Sequence, residues 1–156
     1  MYRIPLYKVM LVRAGDLTIA APPAVNNPRD MAAILAGYLA GAPQEHFVVV
    51  FLNTRHVLIG LQTISIGSLS TTLVHARDVF APAILHTAAC LILGHNHPSG
   101  DPTPSAEDRA LTRKLTDIGE LHGIQVLDHI IVGRAQFYSF HAQKVLPLCS
   151  PAPSTT

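Results

Sequence analysis

Cysteine is scarce in this chain, charge is sparse, and no apolar run is long enough to cross a bilayer. Of the two cysteines, Cys90 stands in an apolar stretch and Cys149 in a Pro/Ser tail. That excludes a disulfide framework and a Cys-x-x-Cys metal pair, and Cys90 is expected to be a packed core thiol. Nowhere do about 18 consecutive apolar residues occur, and MYRIPLYKVMLVRAG lacks the apolar centre of a signal peptide. The expectation is a soluble, cytoplasmic protein with no membrane partner. Charged residues make up only 13%, with 11 Lys plus Arg against 10 Asp plus Glu. Such a balance creates no strong field to gather nucleic acid, so a general polyanion binder is disfavoured.

What is present suits one globular domain: 156 residues, 49% of them apolar, enough for a real core. The anomalies are 9 histidines and 12 prolines, and their placement matters more than their number.

Read along the chain, residues 7–12 have the pattern of a short strand, followed by the turn Ala14-Gly15-Asp16 and a Pro-containing linker. Residues 28–40 predict a helix, with Asn27 as cap, Pro28 in the first turn, Asp30 at the positive end of the dipole and Gly41 near its close. HFVVVFL, residues 46–52, is apolar on both alternating faces and predicts a central strand. Residues 56–66, rich in Val, Ile and Thr, predict its antiparallel partner after the turn Asn53-Thr54-Arg55, with Gly67-Ser68 ending it. Residues 76–87 fit a second helix that Pro82 kinks or delays. A short buried strand over 88–93 ends at Gly94 and opens into a loop from His95 to Pro104, stiffened by three prolines. A third helix runs from Ser105 to about His122, with Asp108 in a capping-box position and Gly123 as its stop. Residues 124–132 and 136–140 predict two strands joined at Gly133-Arg134. No internal repeat is present. The order β-α-β-β-α-β-α-β-β predicts an α/β or α+β arrangement of helices on a mixed sheet. The division expected is an N-terminal strand and linker over 1–27, a domain over 28–145 and a disordered tail over 146–156.

Chemistry concentrates around His95 and His97. Two apart in a proline-stiffened loop after a buried strand, both imidazoles can converge on one point with little loss of entropy, and that point could hold a metal. Two loop histidines bonded to backbone are the plainer alternative. Asp108 shares a helical face with Leu111, Leu115 and Ile118, so its carboxylate is aimed inward and needs a partner. That partner is either its own helix N-terminus, in a capping box with Ser105, or a cation beside the histidines. Two neutral imidazoles and one carboxylate form a ligand set typical of catalytic zinc, leaving a fourth position for water. A nearby carboxylate could then accept the water's proton and pass it to a leaving amine. Only three glutamates exist. Glu107 and Glu120 fall on the polar side of the third helix, which leaves Glu45 at the entry to HFVVVFL, where a solvated residue at a strand start is the plainer alternative.

Glu45, then His95-x-His97, seven residues, Ser105, two residues and Asp108 resemble the JAMM (JAB/MPN) metalloprotease pattern. More closely, HNHPSGDPTPSAED, followed by LTRKL and by VLDHIIVG, resembles the RadC family, a similarity that runs over about residues 45–140. The resemblance implies an α/β fold, a mixed sheet flanked by helices in a cytidine-deaminase-like three-layer arrangement. It implies one zinc ion held by His95, His97 and Asp108, Glu45 as general acid/base, and Ser105 helping to stabilise a tetrahedral oxyanion. The activity implied is hydrolysis of a peptide or isopeptide bond, with a peptide or protein as partner and, by analogy, the substrate strand pairing with a sheet edge over residues 63–68. RadC proteins also carry a helix-hairpin-helix region ahead of this domain. The N-terminal residues here lack its Gly-hairpin signature, so the resemblance is to short RadC-like proteins, without the main sequence reason for binding DNA. The competing reading is a metal-stabilised interaction module or DNA-repair-associated module that kept the ligands without turnover.

Other features read as structural. Arg109, Arg113 and Lys114 form a basic strip that Glu107, Asp117 and Glu120 neutralise. His129 follows Asp128 in a strand, where alternation separates the two side chains, and structural bonding is favoured over metal binding. The remaining histidines lack ligand spacing, and Ser99-Gly100-Asp101 has no positioned base for a serine nucleophile.

Overall fold

The computed structural model describes residues 3–5, 7–19, 25–67 and 74–148. Three helices and six strands follow in the order α1 (Pro28–Tyr38), β1 (His46–Leu52), β2 (Leu58–Ile66), α2 (Ala76–Leu85), β3 (Cys90–Asn96), α3 (Ala106–His122), β4 (Gln125–Val132), β5 (Gln136–Ser139) and β6 (Lys144–Pro147). The strands form one mixed sheet in the order β2-β1-β3-β4-β5-β6. All neighbours are antiparallel except β3 and β4. Parallel neighbours need a long crossover, and α3 supplies it.

The three-layer α/β arrangement implied by the sequence is present because β1 and β3 are apolar on both faces. Val48, Val50, Leu52 and Ile92 point to α1, where they meet Met31, Ile34 and Leu35. Phe47, Val49, Phe51, Leu91 and Leu93 point the other way, to Val79, Phe80 and Ala83 of α2 and Leu115 of α3. At Gly94 a Cβ would stand 2.7 Å from a methyl of Leu35, so the missing side chain is what lets α1 lie directly on β3.

Several boundaries differ from the sequence reading. Residues 7–12 form no strand: the segment has no regular structure, and Tyr7, Val9, Met10 and Val12 are exposed. Strand propensity alone does not order a segment that finds no sheet edge. β2 begins at Leu58 rather than His56, since the Asn53 side chain accepts from the N–H groups of Arg55 and Val57 and holds the turn, with His56 at a positive φ of 56°. α2 starts at Ala76 with Pro82 inside it and stops short of Thr87. β3 runs on to Asn96, which makes His95 a strand residue and not a loop residue. It is paired on both sides, opposite Phe47 and Ile131. β5 stops at Ser139, before Phe140. Residues 146–147, read as tail, belong to β6, while Ser68 and residues 149–156, Cys149 included, lie outside the described residues. No described helix is long and apolar enough to cross a membrane.

Candidate metal centre

The carboxyl end of β3 and the amino end of α3 meet on the α2/α3 side of the sheet, the usual place for a site in an open α/β sheet. β3 delivers His95, fully buried. One residue past the strand, His97 is held where its N–H donates to Val132 O (2.9 Å) and its carbonyl accepts from Gly100 N–H (2.9 Å). Arg134 N–H donates in turn to Gly100 O (3.0 Å), so the loop is fastened to the β4–β5 turn and carries His97 rigidly.

Asp108 is the third residue of α3 and is 1% exposed. Its Oδ2 accepts from Ser105 N–H (2.7 Å), and Ser105 Oγ accepts from Asp108 N–H (3.0 Å), a complete capping box. Oδ1 has no hydrogen-bond partner. The sequence left the capping box and the cation as alternatives, and one carboxylate has an oxygen for each.

The three side chains share one small volume. His95 Nε2 and His97 Nε2 lie 2.9 Å apart. Asp108 Oδ1 is 3.3 Å from the first, and Oδ2 is 3.5 Å from the second. Tetrahedral ligation at about 2.0–2.1 Å separates ligand atoms by about 3.3 Å, so the spacing suits an ion such as zinc. Chemistry agrees with spacing. His97 Nδ1 is 2.7 Å from Asp101 O; a carbonyl only accepts, so Nδ1 carries the hydrogen and Nε2 of the neutral ring presents a lone pair. That lone pair, the orphaned carboxylate oxygen and His95 Nε2 converge, and electron pairs brought this close need a cation between them.

Electrostatics respond accordingly. Burial lowers the His95 imidazole below the ordinary histidine range, against the opposing pull of Asp108. Burial would also lower His97, but Asp108, the Asp101 carbonyl and Glu45 outweigh it and raise the ring. For Asp108, burial acts upward, yet the two imidazoles and Ser105 N–H hold the carboxyl well below the usual range.

Glu45 sits at the entry to β1, partly buried, and its charge reaches both His95 and His97. Its backbone is clamped: Glu45 O accepts from Gly67 N–H (2.8 Å), and Asn96 braces both neighbours, accepting from His46 N–H (2.8 Å) and donating to Gln44 O (3.0 Å). Ser105 is exposed beside Asp108. Because its oxygen accepts in the capping box, its hydroxyl hydrogen stays available for another acceptor.

Sequence reasoning passed over two residues at this site, Asn96 and Thr112, and read a third, His129, as a structurally bonded histidine, as its bonds to His95 and Thr112 make it. The position of Asn96, between the two histidines, was its one signal. His129 lies on the site's face through an irregularity that no spacing reveals. Register moves from Leu91 opposite Val126 to Ile92 opposite Asp128, leaving Leu127 as an extra residue. Without this bulge Asp128 would stand on the α3 side; with it His129 does, and Asp128 turns to the opposite face, where Ser139 Oγ–H donates to it (2.6 Å). No other histidine joins a metal-ligand cluster among the described residues. Glu107, Arg109, Arg113, Lys114, Asp117 and Glu120 are all exposed, the solvated face expected for α3.

Comparison with known proteins agrees with the geometry. The family model described as RadC-like JAB domain matches residues 25–145. A UPF0758 protein of Rubrobacter xylanophilus is 50% identical over 115 residues, covering 74% of this chain and 51% of that protein. One from Moorella thermoacetica is 45% identical over 122 residues, 78% of this chain and 53% of its own length. Another, from Desulforamulus reducens, is 44% identical over 149 residues, 91% of this chain and 66% of that protein. The chain spans about half the length of the first two relatives.

Proposed function

The chain belongs to the RadC-like JAB domain family, and on that premise we propose that it is a zinc-dependent peptidase or isopeptidase of the JAMM type. The observation that carries this reading is the meeting of two imidazole nitrogens and an orphaned carboxylate oxygen at one point, buried at His95 and Asp108 and partly exposed at His97. When bound there by His95, His97 and Asp108, zinc supplies a Lewis acid that polarises a carbonyl and makes water acidic enough to attack it.

The chain's own residues do the rest. Glu45, clamped by Asn96 and Gly67, takes the proton of the attacking water and delivers it to the departing nitrogen, as a fixed carboxylate beside two imidazoles can. The Ser105 hydroxyl donates to the carbonyl oxygen as negative charge develops on it. β2 pairs with β1 alone among the described strands. Its last residues run alongside the start of β1, with Ile66 opposite His46. A peptide added as a further strand along the described part of the expected edge, residues 63–67, would therefore be led toward Glu45.

The test is cleavage of quenched peptide and isopeptide-linked substrates by zinc-loaded protein. Wild type is expected to cleave, and Glu45→Gln to lose about 100-fold or more while keeping its metal. Absence of cleavage in both, with zinc raising the melting temperature, would replace this reading with a non-catalytic, metal-stabilised module.

A further inference from the structure

Behind His95, away from the open side of the site, a chain of hydrogen bonds links two of the ligands to each other. His95 Nδ1 is 2.8 Å from His129 Nε2. His129 Nδ1 is 2.6 Å from Thr112 Oγ1, and Thr112 Oγ1 is 2.6 Å from Asp108 O. The His129 ring is fully buried, stacked on Phe140 (5.0 Å, 11°) and met by the edge of Phe47 (5.6 Å, 74°), so its nitrogens point in fixed directions.

Only one end of this chain has a fixed sense. A carbonyl cannot donate, so the Thr112 hydroxyl gives its single hydrogen to Asp108 O. Thr112 Oγ1 must then accept, which places a hydrogen on His129 Nδ1. In a neutral ring that leaves Nε2 of His129 as an acceptor, and its neighbour, His95 Nδ1, must carry the hydrogen. Nε2 of His95 is therefore a bare lone pair aimed at His97 Nε2 and Asp108 Oδ1. Three polar side chains, three bonds and one backbone carbonyl determine which nitrogen of His95 is free.

We propose that His129 and Thr112 are positioning residues that fix the metal-binding tautomer of His95, tying it through three hydrogen bonds to the backbone of the other buried ligand, Asp108. The inference rests on the metal-site reading above. It assigns a purpose to the bulge at Leu127, which turns His129 onto this face. It also explains why a polar pair stands beside the apolar layer: Thr112 and His129 bond each other directly, and their remaining hydrogen-bonding atoms are taken up by Asp108 O and His95.

Two measurements test the relay. The first is long-range nitrogen NMR of the metal-free protein at pH 8, where the histidine nitrogens report their hydrogens directly. Wild type is expected to show His95 protonated on Nδ1 and bare on Nε2, and Thr112→Val to show a mixture. A hydrogen on Nε2 of His95 in wild type would overturn the proposal. The second is zinc affinity by chelator competition. His129→Leu is expected to weaken binding by about 10- to 100-fold. Thr112→Val, nearly isosteric, should weaken it less, and His129→Gln, whose amide oxygen can accept from His95, should recover most of the loss. Equal affinity in wild type, His129→Leu and Thr112→Val would also overturn it. A wild type that shows the stated tautomer and binds zinc but cleaves nothing removes the peptidase reading and leaves the relay supported.

Discussion

Helices α1 and α3 open with closely related devices. Each has a polar cap followed by an aspartate at its third position, Asp30 after Asn27 and Asp108 after Ser105. In α1 the Asn27 side chain accepts from the N–H groups of Arg29 (2.9 Å) and Asp30 (3.1 Å), and its amide donates to Asp30 Oδ2 (2.9 Å). Asp30 is partly exposed and does no more than close the helix end and complement its dipole. In α3 the capping bond uses one carboxylate oxygen, Oδ2, which also faces His97, and tertiary packing seals the other, Oδ1, against His95. A local motif can thus be the same in kind at two places and acquire chemistry at only one of them. The deciding factor is what the third-position carboxylate faces once solvent is removed.

The comparison can be broken most forcefully at the two aspartates. Asp108→Ala is expected to abolish retention of zinc after dialysis, while Asp30→Ala retains it in full, as metal analysis would read. Equal metal content in wild type and Asp108→Ala would dissolve the distinction between the two helix ends. Asp108→Asn sharpens it, because the amide can keep the capping bond and turn a donor toward the imidazoles. Its metal-free melting temperature should stay close to wild type, with the rise on adding zinc lost.

Acid should act on the α3 side next. His95 and His129 are both lowered by burial from the ordinary value of 6.5. The folded protein keeps these rings neutral while the unfolded chain takes up protons as pH falls through that value. Their contribution to stability is complete above about pH 6.5 and declines as pH falls toward the folded values. His97 is raised, so its contribution is complete below that value and is lost as pH rises through its folded value, which opposes them over part of the window. Below about pH 6.5 His97 is protonated in both states and adds no slope, so the two lowered rings together give a loss on acidification of up to about 2.7 kcal/mol per pH unit. Urea midpoints of metal-free protein at pH 7 and pH 5.5 would measure it, and a midpoint that rises at the lower pH would reverse the assignment.

Smaller effects separate the caps themselves. Asn27→Ala and Ser105→Ala should each cost about 1 kcal/mol in urea unfolding. Only Ser105→Ala should also weaken zinc binding, because it removes the Oγ that accepts from Asp108 N–H and so loosens the backbone of a ligand. Asp30→Ala comes last, at about 0.5 kcal/mol or less.

Much of the architecture was legible before the fold was seen. Uninterrupted apolar runs in HFVVVFL and CLIL mark β1 and β3 as interior strands, and caps and stops mark α1 and α3 to within two residues. The misreadings share a cause. Residues 7–12 carry strand propensity but no partner, and His95 looks like a loop residue until pairing with Phe47 and Ile131 extends β3 over it. Propensity is local, whereas strand ends are decided by the neighbour they pair with.

His95, His97 and Asp108 were visible as candidates because motif spacing records which residues a loop and a helix turn bring near each other, and Glu45 because few other glutamates remained. Asn96 and Thr112 gave almost no such sign, and His129 was legible only as a bonded histidine, although all three hold the candidates in place. Residue types, their spacing and the capping pattern were therefore set by the sequence alone. Which carboxylate oxygen is left bare, which face His129 takes and which imidazole nitrogen is free were decided only by tertiary structure. The physical reason is that a single extra residue in β4 exchanges the two faces of the strand, and only burial makes an unsatisfied oxygen or lone pair costly enough to require a partner.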